Sequence, residues 1–132
     1  MAGDWISVVP PMSREGTRFW GLIACDIHPL NNSGTLGYLK KTLGHDQAVA
    51  DEWYAHWVRE GFDAIEPLIE PGPFAFGSRP SLADVYLVPQ VFNARRFDVP
   101  LDAYPKITAV EAACAAHEAF RDAAPERQPD AA

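Results

Sequence analysis

Apolar residues recur at helical spacing along most of the chain, starting near Ser13. A first helix is predicted from Ser13 to about Leu30, with Ser13 as its N-cap, because apolar side chains return every three or four residues. Pro29 should kink this helix rather than end it. The period resumes after residues 31–34, and Gly44 is expected to terminate this shorter segment.

A second long helix is predicted from about Asp46 to Ile69. Gly61 lies on its apolar face, and a mid-helix glycine costs about 1 kcal/mol unless it permits close contact with a neighbouring backbone. The aromatic residues of this helix could form a ligand cage, but their helical spacing and mixture with aliphatic residues favour core and interface packing. They are Trp53, Tyr54, Trp57 and Phe62. The predicted face consists of Val49, Trp53, Trp57, Gly61, Ile65 and Leu68.

The most apolar segment of the chain begins at Ser81. As a predicted N-cap, the Ser81 hydroxyl can accept from the Asp84 amide, while the Asp84 carboxylate reaches back to the Ser81 amide. Asp84 is the only charged residue before Arg95, which favours a helix in the centre of the fold. Pro89 is expected to bend that helix.

The last part of the chain predicts one more amphipathic helix and a short final turn. Pro105 fits the first position of the helix, and the turn ends before Pro125. The predicted fold class is therefore all-α, a bundle of five or six helices without a sheet. We expect an irregular tail over residues 1–12, one helical domain over 13–124 and a C-terminal tail over 125–132.

Composition and charge restrict the partners of this domain. The chain has 132 residues, 48% of them hydrophobic, a net charge of −7 and a pI near 4.9. An acidic protein repels nucleic acid and anionic membranes, so neither is expected as a partner. The sequence shows no apolar run of membrane-spanning length and no signal-peptide pattern, and we expect a cytoplasmic protein.

The two cysteines do not suggest a catalytic or metal site. Cys25 and Cys114 stand among small apolar residues, and we expect buried free thiols. Cys25 and His28 have a spacing that can bind a metal, but no second pair supplies the remaining ligands. No zinc site is predicted.

Four separated segments resemble the zeta class of glutathione transferases, which contains maleylacetoacetate and maleylpyruvate isomerases. They are residues 24–32, 53–57, 82–97 and 125–130, and the similarity extends from about Arg18 to the end of the chain. The resemblance implies the all-helical C-terminal domain of that class. Full-length members also carry a thioredoxin-like, glutathione-binding domain, and no such pattern precedes Ser13. We therefore expect a fragment, a half-length gene product or a stand-alone helical domain.

The resemblance implies a glutathione-dependent cis–trans isomerisation of a conjugated diketo acid. In that family a thiolate adds to the double bond, permits rotation and leaves, so glutathione is a cofactor that is not consumed. Thiol activation belongs to the thioredoxin-like domain, and no residue of this chain is assigned a catalytic role. The helical domain is expected to contribute cationic binding of the substrate carboxylates.

Arg96 is the candidate for this substrate contact. It corresponds to the arginine that follows the family's Asn-Ala pair at the end of the central helix, and its guanidinium can bind a carboxylate with two hydrogen bonds. The alternative is a surface arginine that satisfies the last carbonyls of its helix. Arg95 is expected to be solvated or paired with Asp98.

His28 and Asn32 are the candidates for contact with glutathione. They occupy positions from which relatives reach the cofactor across a dimer interface. The alternative is local: Asn31 and Asn32 can satisfy backbone groups released by Pro29, and His28 can fill an interface. Residues 33–35 differ from the sequence that usually follows in the family, so the sequence does not decide between these two roles.

Two functions are thus compatible with the sequence. One is the substrate-side domain of a homodimeric isomerase that acts on maleylacetoacetate or maleylpyruvate, inactive without a glutathione-binding domain. The other is a non-catalytic helical module for protein interaction, derived from a glutathione transferase.

Overall fold

A computed structural model describes residues 13–129, and this part of the chain is helical. Its helices are α1 (Arg14–Leu22), α2 (His28–Asn31), α3 (Ser33–Gly37), α4 (Gln47–Ile65), α5 (Leu82–Arg96), α6 (Pro105–Ala116) and α7 (Glu118–Asp122). Wider π-helical turns occur at Ile23–Ile27 and Tyr38–Thr42, and 3₁₀ turns at Glu66–Leu68 and Pro125–Arg127. Residues 13–129 contain no strand beyond an isolated bridge between Phe74 and Gly77. The all-α prediction is confirmed.

The first predicted helix runs without a break through α1, the π turn and α2. Ser13 caps it, since its hydroxyl accepts from the Gly16 amide at 3.0 Å. Pro29 has no amide hydrogen and its ring crowds the carbonyl four residues earlier, so the wider turn before it lets the helix continue. The helix ends at Asn31, close to the predicted boundary.

The segment after α2 ends at Gly44, as predicted. Gly44 has a φ of +73°, in the left-handed region that glycine enters without steric cost. The His45 amide then donates to the Leu39 carbonyl at 3.1 Å, which closes the helix end.

α4 buries a different face in its first half from the one predicted. Val49 is 43% exposed, and Trp53 and Trp57 are only partly buried. The prediction was wrong there because two neighbouring rows of this helix are apolar, and packing against α1 and α2 selects the second row. The buried residues are Ala50, Tyr54, Val58, Gly61, Phe62 and Ile65.

Gly61 allows a close contact, although with a side chain and not with a backbone as predicted. A Cβ at this position would collide with Cδ1 and Cγ1 of Ile27, which is fully buried on the first helix. The glycine thus brings α4 against the π turn.

α5 is central, but only one side of it is buried. It packs against α1 and α6, and its buried apolar residues are Ala83, Leu87, Val91 and Ala94. The opposite side is open, with Val85, Tyr86 and Phe92 all more than a third exposed. The helix is therefore central, as predicted, but only one of its faces is buried.

α6 begins at Pro105, as predicted, and is capped by a residue from the turn that follows α4. The Glu66 carboxylate accepts from the amides of Lys106 at 2.8 Å and Ile107 at 2.9 Å. These amides have no partner within their own helix, so Glu66 attaches the start of α6 to the 3₁₀ turn after α4. The apolar period of this segment predicts a face of Ile107, Val110, Cys114 and His117. The first three are buried, whereas His117 is the C-cap and is exposed.

The predicted tails lie at the limits of the described chain. Residues 1–12 lie outside it, and the segment that starts at Pro125 begins with a 3₁₀ turn. None of the helices in residues 13–129 combines the length and apolar character needed to cross a bilayer.

Candidate functional site

The carboxyl end of α5 is closed by backbone hydrogen bonds. The Asp98 amide donates to the Arg95 carbonyl at 3.0 Å, and the Val99 amide donates to the Ala94 carbonyl at 2.9 Å. Asp98 adopts a φ of 54°, the left-handed conformation that this Schellman-type cap requires. Because these two carbonyls already have partners, the helix end does not need the Arg96 side chain to satisfy them.

Arg95 joins this helix end to α6. Its Nε donates to Glu111 Oε1 at 2.9 Å and its Nη2 to Glu111 Oε2 at 2.5 Å, a bidentate ion pair. The hydrogen bond to Glu111 raises the pKa of Arg95. We expected Arg95 to be solvated or paired with Asp98. The predicted pairing with Asp98 was wrong, because the ion-pair partner is Glu111. Glu111 lies 16 residues along the chain, a pairing that sequence spacing alone could not indicate.

Phe97 joins the same helix end to α4. Its ring stacks on Tyr54 with the centroids 3.8 Å apart and the planes 9° from parallel. Tyr54 is buried. Burial raises the pKa of Tyr54, and the positive charge of Arg96 acts in the opposite direction, so the Arg96 guanidinium lies within electrostatic reach of this phenol.

Arg96 lies between these two attachments and is exposed. Within residues 13–129 its guanidinium makes no ion pair, in contrast to Arg95. By helical spacing it continues the open side of α5, following Val85, Pro89 and Phe92. An unpaired guanidinium at the end of an apolar stripe can bind a carboxylate while the stripe contacts the carbon chain.

The opposite end of α5 carries the predicted capping box. Both reciprocal contacts between Ser81 and Asp84 are present, and the Ser81 amide donates to Asp84 Oδ2 at 2.7 Å. Asp84 does more than the box requires: Oδ2 also accepts from the Ser81 hydroxyl at 2.8 Å, and Oδ1 accepts from the Ala75 amide at 2.8 Å. The fully buried carboxylate therefore fixes the preceding loop as well as the helix start.

His28 and Asn32 lie one helical turn apart, at the end of the first long helix. The His28 side chain is exposed. Asn32 is the N-cap of α3: Oδ1 accepts from the Thr35 amide at 3.0 Å, and Nδ2 donates to the Pro29 carbonyl at 3.0 Å. Asn32 therefore forms hydrogen bonds with the backbone near Pro29, which was the alternative to a contact with glutathione. One amide hydrogen and one oxygen lone pair remain for a ligand.

Asn31 and the two cysteines are not assigned a role in the candidate site. Asn31 is buried, and its Nδ2 lies 3.5 Å from the Tyr54 carbonyl. Cys114 is buried as expected, and burial, with the nearby Asp84 charge, raises its pKa to about 12. Cys25 is exposed, contrary to expectation, because it lies on the outer side of the π turn. The described chain holds no cluster of three potential metal ligands.

Sequence reasoning missed the contacts on either side of Arg96. Tyr54 was expected to pack in the core or an interface, and it is buried, but its contact with Phe97 was not predicted. Phe97 and Glu111 were given no role. No local signal connects these three residues, since they belong to different helices. Gln90, also missed, buries an Nε2 atom that has no hydrogen-bond partner among residues 13–129.

Comparison with known proteins agrees with this architecture. Residues 47–124 match the model of the glutathione S-transferase C-terminal domain. The chain belongs to this family. As a glutathione S-transferase C-terminal domain, it places the capped helix α5 at the centre of its fold.

Individual relatives assign this glutathione S-transferase domain to the zeta class. The chain is 52% identical over 115 residues to a maleylpyruvate isomerase from a Ralstonia species, covering 84% of this chain and 54% of the relative. A holo structure of a bacterial zeta-class maleylpyruvate isomerase matches with a TM-score of 0.89 and 46% identity, over 94% of this chain and 62% of the other.

A third relative was solved with ligands in its active site. It is a maleylacetoacetate isomerase from Anaeromyxobacter dehalogenans, with bound dicarboxyethyl glutathione and citrate. It matches with a TM-score of 0.86 and 34% identity, over 94% of this chain and 57% of the other. This chain spans about half the length of the curated relatives that it matches.

Proposed function

We propose that this chain is the substrate-side part of a glutathione-dependent cis–trans isomerase that acts on maleylacetoacetate or maleylpyruvate. The observation that carries the proposal is the Arg96 guanidinium, which makes no ion pair within residues 13–129 and lies at a helix end in contact with α4 and α6. This helix end belongs to a zeta-class domain that is similar to two such isomerases. Both substrates are dianionic conjugated acids, and a guanidinium on an apolar stripe matches a carboxylate on a carbon chain.

The role proposed for Arg96 is to bind a substrate carboxylate and to stabilise charge that develops during isomerisation. A cation that needs no rearrangement to meet this charge lowers the barrier more than a mobile one. The guanidinium is held near the site by backbone that is tied to both α4 and α6.

Glutathione is the proposed cofactor, and the residues present fit part of it. Asn32 keeps one donor and one acceptor for a peptide-like ligand, and the exposed His28 lies one turn before it. Bound glutathione would supply the thiol that adds reversibly to the double bond. In this chain the contribution of His28 and Asn32 is to bind and orient, and we assign no catalytic residue to it.

We further propose that the protein is a cytoplasmic homodimer. Both cysteines are free thiols, which suits a reducing compartment. Tyr38, Leu43 and Val49 are large apolar residues that are exposed on the π turn after α3, at its end and at the start of α4, two segments that pack against each other. Burial against a second copy would remove this surface from water.

The test joins this chain to the N-terminal part of the Ralstonia relative and measures maleylpyruvate isomerisation with glutathione. The chain alone should be inactive and the fusion active. Arg96→Ala should raise KM and lower kcat/KM by about 10- to 100-fold, the loss of one charged contact. Arg121→Ala, which removes an exposed charge on α7, should change neither constant.

Two results would overturn the proposal. Turnover by the chain alone would place the chemistry elsewhere. An inactive fusion that remains folded and binds glutathione would instead favour the non-catalytic interaction module.

A further inference from the structure

The position of Arg96 depends on its two neighbours in sequence. Successive residues of an α-helix point about 100° apart, so Arg95 and Phe97 point to opposite sides of α5 and Arg96 points outward between them. The structure shows this division, with Arg95 bonded to Glu111 on α6 and Phe97 stacked on Tyr54 of α4.

The contacts of Arg95 and Phe97 differ in how strongly they stabilise the end of α5. The Arg95–Glu111 pair is bidentate, but 54% of the Arg95 side chain is exposed, so solvent screens the attraction between the two charges. Tyr54 is 2% exposed and its ring centroid lies 3.8 Å from that of Phe97. Phe97 is partly buried, and its nearly parallel stack on the buried Tyr54 resists displacement because moving Phe97 would expose one face of each ring.

The helix end itself needs such support. Phe97 is the C-cap of α5, and the next residue, Asp98, has a φ of 54° that non-glycine residues adopt at a cost of about 1 kcal/mol. Without an attachment at Phe97, the last turn of α5 would be free to relax out of this conformation, and Arg96 would move with it.

We propose that Tyr54 is a positioning residue for Arg96, acting through its stack on Phe97. This inference rests on the proposed function, because Arg96 is taken as the carboxylate-binding group. The aromatic ring performs the role, and the phenolic hydroxyl is dispensable for it. Tyr54→Phe should therefore behave like the parent, while Tyr54→Leu should release the end of α5.

The first experiment measures backbone amide exchange in the 132-residue chain by NMR. The Val99 amide, which donates to the Ala94 carbonyl, reports on the cap of α5. In Tyr54→Leu its exchange should accelerate about tenfold more than that of the Leu87 and Val91 amides in the helix interior. In Tyr54→Phe the rates should match the parent.

Phe62→Leu is the matched control. Phe62 is also a buried aromatic residue of α4, but its aromatic partner is Tyr104, in an edge-to-face contact, whereas that of Phe97 is Tyr54. This variant should lose stability without a selective change at Val99. Equal acceleration at Val99 in Phe62→Leu and Tyr54→Leu would overturn the inference, because it would indicate general loosening of the core.

The second experiment measures kinetics in the fusion described above. Tyr54→Leu should raise the KM for maleylpyruvate about 3- to 10-fold and leave the KM for glutathione unchanged, since only the carboxylate contact is displaced. If Arg96→Ala raises the substrate KM and Tyr54→Leu does not, the positioning role is wrong. If Arg96→Ala has no effect, the substrate-binding role of Arg96 is wrong and the proposed function loses its supporting observation. The exchange rate of the Val99 amide then still shows whether the Tyr54–Phe97 stack stabilises the end of α5.

Discussion

Asp84 illustrates how one side chain organises two segments of the chain. Its carboxylate accepts from the amides of Ala75 and Ser81 and from the Ser81 hydroxyl, all at 2.7–2.8 Å and inside the core. Each buried amide that loses its partner costs the desolvation free energy of that group. The residue therefore stabilises both the loop before α5 and the start of the helix.

We expect Asp84→Ala to lower the free energy of unfolding by about 2–4 kcal/mol, because the buried Ala75 amide and the partly buried Ser81 amide lose their acceptor. Ser81→Ala should cost about 1 kcal/mol, since the Ser81 amide keeps its bond to Asp84. Urea denaturation of both variants measures the difference. Equal losses for the two variants would show that the bonds from the Ala75 and Ser81 amides add nothing to the bond from the Ser81 hydroxyl.

At the scale of single elements, close approach between α4 and the first helix depends on Gly61. The space that a Cβ would occupy is filled by Ile27, which is fully buried and has little room to move. The contact also brings α4 against the π turn before Pro29. The wider turn and the glycine thus belong to the same helix–helix contact.

Gly61→Ala should therefore destabilise the protein by about 1–3 kcal/mol through overpacking. Gly21→Ala is the matched control: this helical glycine of α1 has open space at the Cβ position, and alanine should stabilise by about 0.5–1 kcal/mol. Thermal melts compare the two. A stabilising Gly61→Ala would mean that the helices are farther apart than the structure shows.

On the scale of the whole molecule, two sets of large apolar residues are exposed on different helices. One is the side of α5 that leads to Arg96, and the other is the patch of Tyr38, Leu43 and Val49. We assign the first to the substrate side and the second to the proposed dimer, so changes on the two surfaces should have separate effects.

Sedimentation velocity should accordingly show a dimer for the chain and a monomer for the double variant Tyr38→Ser with Leu43→Ser, since polar residues remove the gain from burial. The corresponding change on α5, Val85→Ser with Phe92→Ser, should leave the dimer intact. A monomeric parent at all concentrations, or a dimer lost only through the α5 change, would contradict this assignment.

The sequence by itself determined the elements and the family. Helical periodicity, the caps at Ser13 and Ser81, and the stop at Gly44 are local signals, because each depends on residues within one or two turns. They were enough to predict an all-α fold, and the order of four separated segments along the chain was enough to indicate the zeta class.

Only the tertiary structure decided which faces pack and what holds Arg96. The choice between the Val49 and Ala50 rows of α4 depends on neighbouring helices, as does the partner of Arg95. Tyr54 and Phe97 are far apart along the chain, and no periodic pattern encodes their contact. Local propensity acts over a few residues, whereas the surroundings of Arg96 arise where three helices meet, and for that reason they became visible only in the folded chain.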